Sequence, residues 1–418
     1  MDQTVLERVN PVFNTAKMTI FQLAETGNKD AARIAEKLNL SFDQTQNSAS
    51  SKASPEQMTA ALIMMETRYR TMEALAKKTG YDTVVDLPCG YTPRAIELAE
   101  KGKEYYGLDL PAAIAEAEPV IMSLIDEDKR SKVHFCGVDA TNGASLKDAL
   151  KDVNGPVCIN TEGLLMYFTD SETGALCDNI RMILSEHGGC WLTADIESAM
   201  QYIITTQCIA GERFMELLKS SRQSAQDKSD VELGNNSLNV NPIGGVEEKM
   251  KKAMMFLASH GLKAERMIVG DYMPELSSLS RVSPEQAEAI KQGMKKCAYW
   301  KITPMNTDID VNTDDLKANH FDMHAKVKNN TFNLRITGRV DTLTAPNMLT
   351  LYERVKSESA VDSVVIDCSE LEYISSAGLR VLLIMQKECK SGVKLKSVNS
   401  VVNDILEQTG FDSVLEVD

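Results

Sequence analysis

The feature that most restricts how this chain can fold is the stretch Val84-Val85-Asp86-Leu87-Pro88-Cys89-Gly90-Tyr91-Thr92-Pro93-Arg94-Ala95. A short apolar run ends in an acid, passes through a turn at Gly90 and opens into apolar residues at helical spacing, Ala95, Ile96, Leu98 and Ala99. Strand, turn and helix in that order predict the first βα unit of a ligand-binding α/β sheet. Gly90 has no Cβ, so backbone can come close to a ligand there. The next strand, Tyr105 to Leu110, carries a second acid, Asp109, 23 residues after Asp86. Such units place there the carboxylate that accepts ribose hydroxyls. A turn merely capped by Asp86 explains Gly90 but not the second acid at this spacing.

A dinucleotide site needs glycines at GxGxxG so that bare backbone can meet a pyrophosphate. Here those positions hold Pro88, Gly90 and Pro93. Pro88 lacks an N–H, and its ring fills the approach. A ligand without phosphate but with cationic groups suits the acids better, and S-adenosylmethionine, with an ammonium and a sulfonium, is the expected cofactor. A nicotinamide cofactor is the disfavoured alternative.

From Asp82 to about Asp195 strands and helices alternate, with strands expected at 83–87, 105–110, 133–138, 156–161 and 190–195. The alternation implies a parallel sheet covered on both faces, with ligands beyond the carboxyl ends of its strands. Asp86, Asp109, Asp139, Glu162 and Asp195 stand at those ends, although Asp139 and Asp195 are also placed to act only as helix caps. Upstream, residues 1–80 read as helical around a Ser-, Gln- and Asn-rich loop at 41–55, and Arg68 or Arg70 is available for a ligand carboxylate. An insert at 198–245, helical and then polar, is expected to wall the substrate side with the 41–55 loop. The alternation resumes with a helix at 246–260, a strand at 264–270, a helix to about 296 and a strand at 297–303.

Pro304 to Asn319 has the composition of a linker. After it come a hairpin pattern around Lys328-Asn329-Asn330, a helix at 344–358, a buried strand at 363–367, and Ser375-Ser376-Ala377-Gly378-Leu379 opening a helix. A strand at 393–398, a helix at 400–408 and a short last strand complete a second α/β domain. The expected division is 1–303, a linker at 304–319, and 320–418. His320 and His324 have i,i+4 spacing, but with no further His or Cys nearby no metal site is expected. The net charge of -15 argues against a general nucleic-acid or anionic-membrane partner. No run of about 18 apolar residues predicts a membrane span, and no signal peptide is expected at the N-terminus. Nine scattered cysteines without CxxC read as reduced thiols in a cytoplasm.

The first domain resembles the leucine carboxyl methyltransferase family of class I S-adenosylmethionine-dependent methyltransferases over roughly residues 10–303. The marks are Asp86-Leu87-Pro88-Cys89-Gly90 with Arg94, Glu162-Gly163-Leu164-Leu165-Met166-Tyr167-Phe168, Gly107-Leu108-Asp109-Leu110-Pro111 and Val138-Asp139. The resemblance implies a Rossmann-like seven-stranded domain with a helical N-terminal extension. It also implies a cofactor held by Gly90, Asp109 (ribose), Asp139 (adenine edge), Glu162 (methionine end) and an Arg matched by Arg68 or Arg70. Pro88 departs from the family's usual Gly. The acceptor is implied only as a carboxylate or hydroxyl on a small molecule or a protein. The second domain resembles a STAS domain, the fold of bacterial anti-sigma factor antagonists, through Gly338-Arg339-Val340-Asp341-Thr342, Val365-Ile366-Asp367-Cys368-Ser369 and Tyr373 to Arg380. That resemblance implies a serine kinase or anti-sigma factor partner and phosphorylation at Ser376, with Ser375 where the family usually has Asp. Ser375 or Ser376 is equally well placed as a plain helix cap. Two functions follow: an O-methyltransferase with a regulatory domain, or a catalytically weak S-adenosylmethionine-binding sensor in an anti-sigma-type pathway. The residues name no proton-transfer group, His134 and His187 being ambiguous.

Overall fold

The computed structural model describes residues 15–40, 54–217, 236–240, 245–305, 309–328 and 330–418. The chain forms two compact units, Met1–Phe256 with Ala264–Thr303, and Leu257–Lys263 with Pro304–Asp418.

In the first unit, apolar runs bounded by acids and glycines become β1 (Thr83–Asp86), β2 (Glu104–Asp109), β3 (Val133–Gly137), β4 (Val157–Thr161) and β5 (Gly189–Thr193), followed by β6 (Leu262–Ile268) and β7 (Ala298–Pro304). They form one seven-stranded sheet in the order β3-β2-β1-β4-β5-β7-β6. The central strands β1 and β4 are buried along their whole length, as strands covered on both faces must be. The strands from β3 to β5 are parallel, but β7 runs antiparallel to β5, pairing Trp191 with Ile302 and Thr193 with Trp300. The five strands between Asp82 and Asp195 are parallel, as expected, and β7 makes the whole sheet mixed. An apolar run specifies a strand, whereas its direction is set by where the preceding connection delivers it. The strand order reverses between β1 and β4, whose ends are in register at Asp86 and Asn160. A crevice for a ligand opens beyond such a reversal.

One long helix, Pro55–Thr79, brings side chains to that crevice. Its start is fixed by Ser54 and Gln57 capping one another's backbone and by Pro55, and its end by Gly80 at φ 74°. Glu66, buried on this helix, accepts from the backbone N–H groups of Ser277 and Ser278 at 3.0 and 2.8 Å, pinning the helix to the following segment. The expected loop at 41–55 lies outside the described residues except for its last two. Of the 198–245 insert, the structure describes a helix at Ser198–Ala210, the turn Gly211–Arg213 and residues 236–240, while 218–235 and 241–244 lie outside the described residues.

The second unit is a six-stranded sheet in the order β13-β12-β11-β10-β9-β8, made of β8 (Ile309–Val311), β9 (Phe321–Lys328), β10 (Thr331–Val340), β11 (Ser363–Ile374), β12 (Val393–Lys396) and β13 (Glu416–Val417). The β9–β10 hairpin is antiparallel, and β10 to β13 are parallel with helices between them. The segment 304–319 is more than the linker its composition suggests. β8 pairs with β9, and Leu316 is buried in the same core as Phe332, Met348 and Leu382. Ile309, Val311 and Leu316 are enough apolar spacing for an edge strand, despite the polar residues between them. Among the described residues no helix is long and apolar enough to cross a membrane, and no cluster of three metal-ligating side chains occurs.

Candidate functional site

A cavity of about 250 Å³ opens where the β1 and β4 ends separate. Its floor is the Asp86–Arg94 turn. One wall comes from the Pro55–Thr79 helix through Met64, Met65, Arg68 and Tyr69, and another from the helix at 15–25 through Ala16, Thr19, Ile20 and Leu23. Glu162 and Met166 close it from beyond β4.

Asp86, Gly90, Asp109, Glu162 and Arg68, named from sequence, all line this cavity. Gly90 adopts φ 51°, a left-handed conformation open to glycine. The Asp109 carboxylate accepts the Gly90 N–H at 2.9 Å and the Leu110 N–H at 2.7 Å. Burial pushes its pKa up and those two donors pull it down. A carboxylate has about four acceptor positions, so two remain for a ligand's hydroxyls. Gly90 is thus placed by the acid it was expected to accompany.

The sequence reading offers Asp86 to a cationic ligand; in the structure the cation is internal. Arg94 Nη1 lies 2.8 Å from both Asp86 oxygens, and Tyr105 and Asn160 donate to the same carboxylate at 3.2 and 3.1 Å. Arg94 Nη2 donates to Glu162 Oε1 at 2.7 Å, and Arg68 Nε stands 3.5 Å from Glu162 Oε2. Four groups thus alternate in sign through the cavity: Asp86, Arg94, Glu162, Arg68. Burial opposes the Arg94 charge, but Asp86 and Glu162 outweigh it and hold its pKa well above the ordinary value. Burial pushes the Glu162 pKa up, against the pull of Arg94 and Arg68. Arg94 belongs to the sequence motif, which by itself assigns it no function. Its signal is a cation inside the apolar face Ala95, Ile96 and Ala99, where an Arg is buried only if paired.

Arg68 and Arg70 separate cleanly. Arg68 lines the cavity, whereas Arg70 donates to the Glu275 carbonyl at 2.7 Å, outside it. Asp139 does not join the other acids. It is exposed, its Oδ1 accepts from the N–H and hydroxyl of Thr141 at 2.8 and 2.7 Å in a local turn cap, and it is not among the residues lining the cavity. Asp195 is buried and accepts from the backbone N–H groups of Gly163, Leu164 and Leu165 at 2.6, 2.8 and 3.0 Å. It shapes the loop that carries Glu162. Asn236 supports the same loop through the Leu165 and Phe168 carbonyls at 2.7 and 3.0 Å. Tyr91 donates to Glu116 at 2.5 Å and its pKa is raised, first by burial. His134 stacks on Tyr106 away from the cavity.

In the second unit the helix Ser376–Glu388 begins at an N-cap, Ser375, whose hydroxyl oxygen accepts the Gly378 N–H at 3.5 Å. Ser376 is exposed on the first turn.

Residues 19–181 match the family model described as leucine carboxyl methyltransferase, and residues 322–418 match that of the STAS domain. Solved structures similar to this chain include the anti-sigma factor antagonist SpoIIAA in its unphosphorylated form, at 16% identity and TM-score 0.21, covering 23% of this chain and 87% of that one. A second is an anti-sigma factor antagonist from Mycobacterium paratuberculosis, at 18% identity and TM-score 0.22, covering 26% and 89%. A third is human N-acetylserotonin methyltransferase in complex with SAM, at 12% identity and TM-score 0.30, covering 68% of this chain and 66% of that one. A comparison with curated proteins returns no match.

Proposed function

We propose that this chain, whose residues 19–181 match the leucine carboxyl methyltransferase model and 322–418 that of the STAS domain, transfers methyl from S-adenosylmethionine to a carboxylate or hydroxyl under control of the second domain. The observation that carries this reading is the charge pattern of the cavity. Three carboxylates, Asp86, Asp109 and Glu162, face two guanidiniums, Arg68 and Arg94, which leaves an excess of negative charge. Such a lining suits a ligand with a net positive charge and disfavours a pyrophosphate.

The residues fit the cofactor at both ends. Asp109, with acceptor positions left beside Gly90, would hold ribose hydroxyls. Arg68 Nε is buried without a hydrogen-bond partner and would receive a carboxylate. Glu162 would receive the ammonium. S-adenosylmethionine, when bound, supplies an electrophilic methyl group with a neutral thioether as leaving group. Since such a displacement needs alignment above all, the contribution of the chain is to fix the ligand from two ends, with Met64, Met65 and Met166 lining the space between them. A carboxylate acceptor requires no base. Tyr91 is not a base for a hydroxyl acceptor, because its proton is held by Glu116 and its pKa is raised.

In the second unit we assign the regulatory hydroxyl to Ser376 and the helix cap to Ser375. A phosphate at Ser376 would add about −1.5 to −2 charges to the first turn of a helix and would alter how an anti-sigma factor or kinase of the antagonist pathway is bound. The second reading is a sensor whose first domain binds S-adenosylmethionine without appreciable turnover, with the exposed Ser376 as its output. The nine cysteines are all free, in keeping with a reducing compartment such as the cytoplasm. Calorimetry with S-adenosylmethionine, S-adenosylhomocysteine and NAD tests the cofactor: binding of the first two and not the third is expected, and binding of NAD alone would overturn the assignment. Product detection with a panel of carboxylates and phenols then separates enzyme from sensor.

A further inference from the structure

We propose that Arg94 is a positioning residue that keeps Glu162 ionised and turned to the cavity, so that the site selects ligands carrying an ammonium beside a carboxylate. This rests on the cofactor reading above and deepens it. Arg94 has little freedom. Its side chain is 4% exposed, its Nη1 is fixed between both oxygens of Asp86, and its ring neighbour Tyr69 lies 4.9 Å away. Asp86 is itself held by Tyr105 and Asn160. The planar fork therefore presents its remaining edge, Nη2, in one direction only, and Glu162 Oε1 occupies it at 2.7 Å. A lysine could serve one of these carboxylates but not both in this geometry.

Holding Oε1 decides what Oε2 can do. Its nearest cation, Arg68 Nε, is 3.5 Å away and is itself without a hydrogen-bond partner. The cavity thus contains one under-used acceptor and one unused donor side by side, complementary to the ammonium and carboxylate of an amino-acid end. Groups facing Glu162 come from four elements: Arg94 after β1, Arg68 on the Pro55–Thr79 helix, Asp86 at the end of β1, and Tyr299 on β7, whose hydroxyl donates to Gln201 at 3.1 Å. Burial alone would favour a protonated Glu162, and Arg94 is the closer of the two cations opposing it. Loss of Arg94 raises the Glu162 pKa, so ligand binding through the carboxylate falls as pH is lowered and returns as pH is raised.

The test is calorimetric titration of the full chain with S-adenosylhomocysteine, which keeps the amino-acid end, and with 5′-methylthioadenosine, which lacks it, between about pH 5.5 and 7.5. Wild type should bind the first more tightly, with a shallower pH profile than the Arg94→Gln variant. Arg94→Gln should bind S-adenosylhomocysteine progressively more weakly at low pH, approaching tenfold per unit below the raised pKa, with 5′-methylthioadenosine unchanged and Arg94→Lys intermediate. If Arg94→Gln does not fold, Glu162→Gln serves. It should weaken S-adenosylhomocysteine at every pH and leave 5′-methylthioadenosine alone. Equal loss of both ligands in the variants, a flat Arg94→Gln profile, or undiminished S-adenosylhomocysteine binding by Glu162→Gln would each overturn the proposal. Wild type binding both ligands equally would overturn it while sparing the cofactor reading; wild type binding neither would remove both.

Discussion

The two units handle charge in opposite ways. Among the described residues, the first buries Glu66, Asp86, Arg94, Asp195 and Glu197, whereas the buried polar residues of the second are the hydroxyls of Thr313, Thr344 and Ser359. Its ion pairs lie at the surface, as with Arg335–Asp367 and Lys394–Glu416. Burying a charge is costly unless partners surround it. The first unit meets that cost with networks that fix loops and a cavity. Glu197, for example, accepts from Arg266 at 2.7 and 2.8 Å, from Trp300 at 2.8 Å and from the Ala298 N–H at 3.0 Å. The second has an apolar core and leaves Ser376 and Leu343 at its surface, Leu343 being 85% exposed.

The comparison can be broken most forcefully at Arg94. Arg94→Ala leaves Asp86 buried and unpaired, so denaturant unfolding of the first unit should show a loss of about 3–5 kcal/mol. Arg335→Ala in the second, removing an exposed pair, should cost less than about 1 kcal/mol. Similar losses would mean that the buried network is not what distinguishes the units. The next effect concerns the ligand. Asp109→Ala should weaken S-adenosylmethionine binding by about 1.5–3 kcal/mol per hydrogen bond lost, and unchanged affinity by calorimetry would remove Asp109 from the site.

Smaller effects separate the two serines. Ser375→Ala removes a helix cap, with an expected cost of about 0.5–1 kcal/mol in thermal unfolding given the long cap bond. Ser376→Ala should leave stability where it was. Partner capture should run the other way, with Ser376→Asp losing the partner and Ser376→Ala and wild type retaining it. Capture by all three alike would end the assignment of Ser376.

The finest distinction is in pH dependence. Burial raises the Asp109 pKa, so this group costs stability at neutral pH, and the cost disappears as pH falls through the raised value and on to the ordinary 3.8. Hydrogen bonds from Ser369, and after them Arg335, lower the Asp367 pKa, so its stabilisation is present above 3.8 and is lost as pH falls through the lowered value. Wild type should therefore gain on Asp109→Asn, and lose against Asp367→Asn, as the solution is acidified. Thermal melts across pH that gave both differences the same slope would contradict the contrast.

The first unit's strands were legible because a strand buried on both faces must be apolar throughout and must stop where polar backbone meets solvent. Val84-Val85-Asp86 and Val157 to Thr161 end within a residue or so of the expected positions. The β9–β10 hairpin was equally plain from its alternation. The 304–319 segment was not, because a three-residue edge strand with Asp310 at its centre carries too little apolar signal to be told from a linker. At the site, Gly90, Asp109 and Glu162 were visible as residue types at strand ends. Asp139 looked the same in sequence, but in the structure it is exposed and capped by Thr141.

What the sequence by itself determined is the local chemistry: which runs are strands, where backbone can approach a ligand, which acids stand at the sheet's working edge, and that a second α/β domain follows. These depend on periodicity and on neighbours a few residues apart. The tertiary structure alone decided the direction of β7, the placing of Arg68 but not Arg70 at the cavity, and the pairing of Asp86 with Arg94. Each of these depends on partners distant in the chain, such as Arg94 with Glu162, 68 residues apart. A charge acts through distance in space, and sequence spacing does not record it until the sheet has brought the strand ends together.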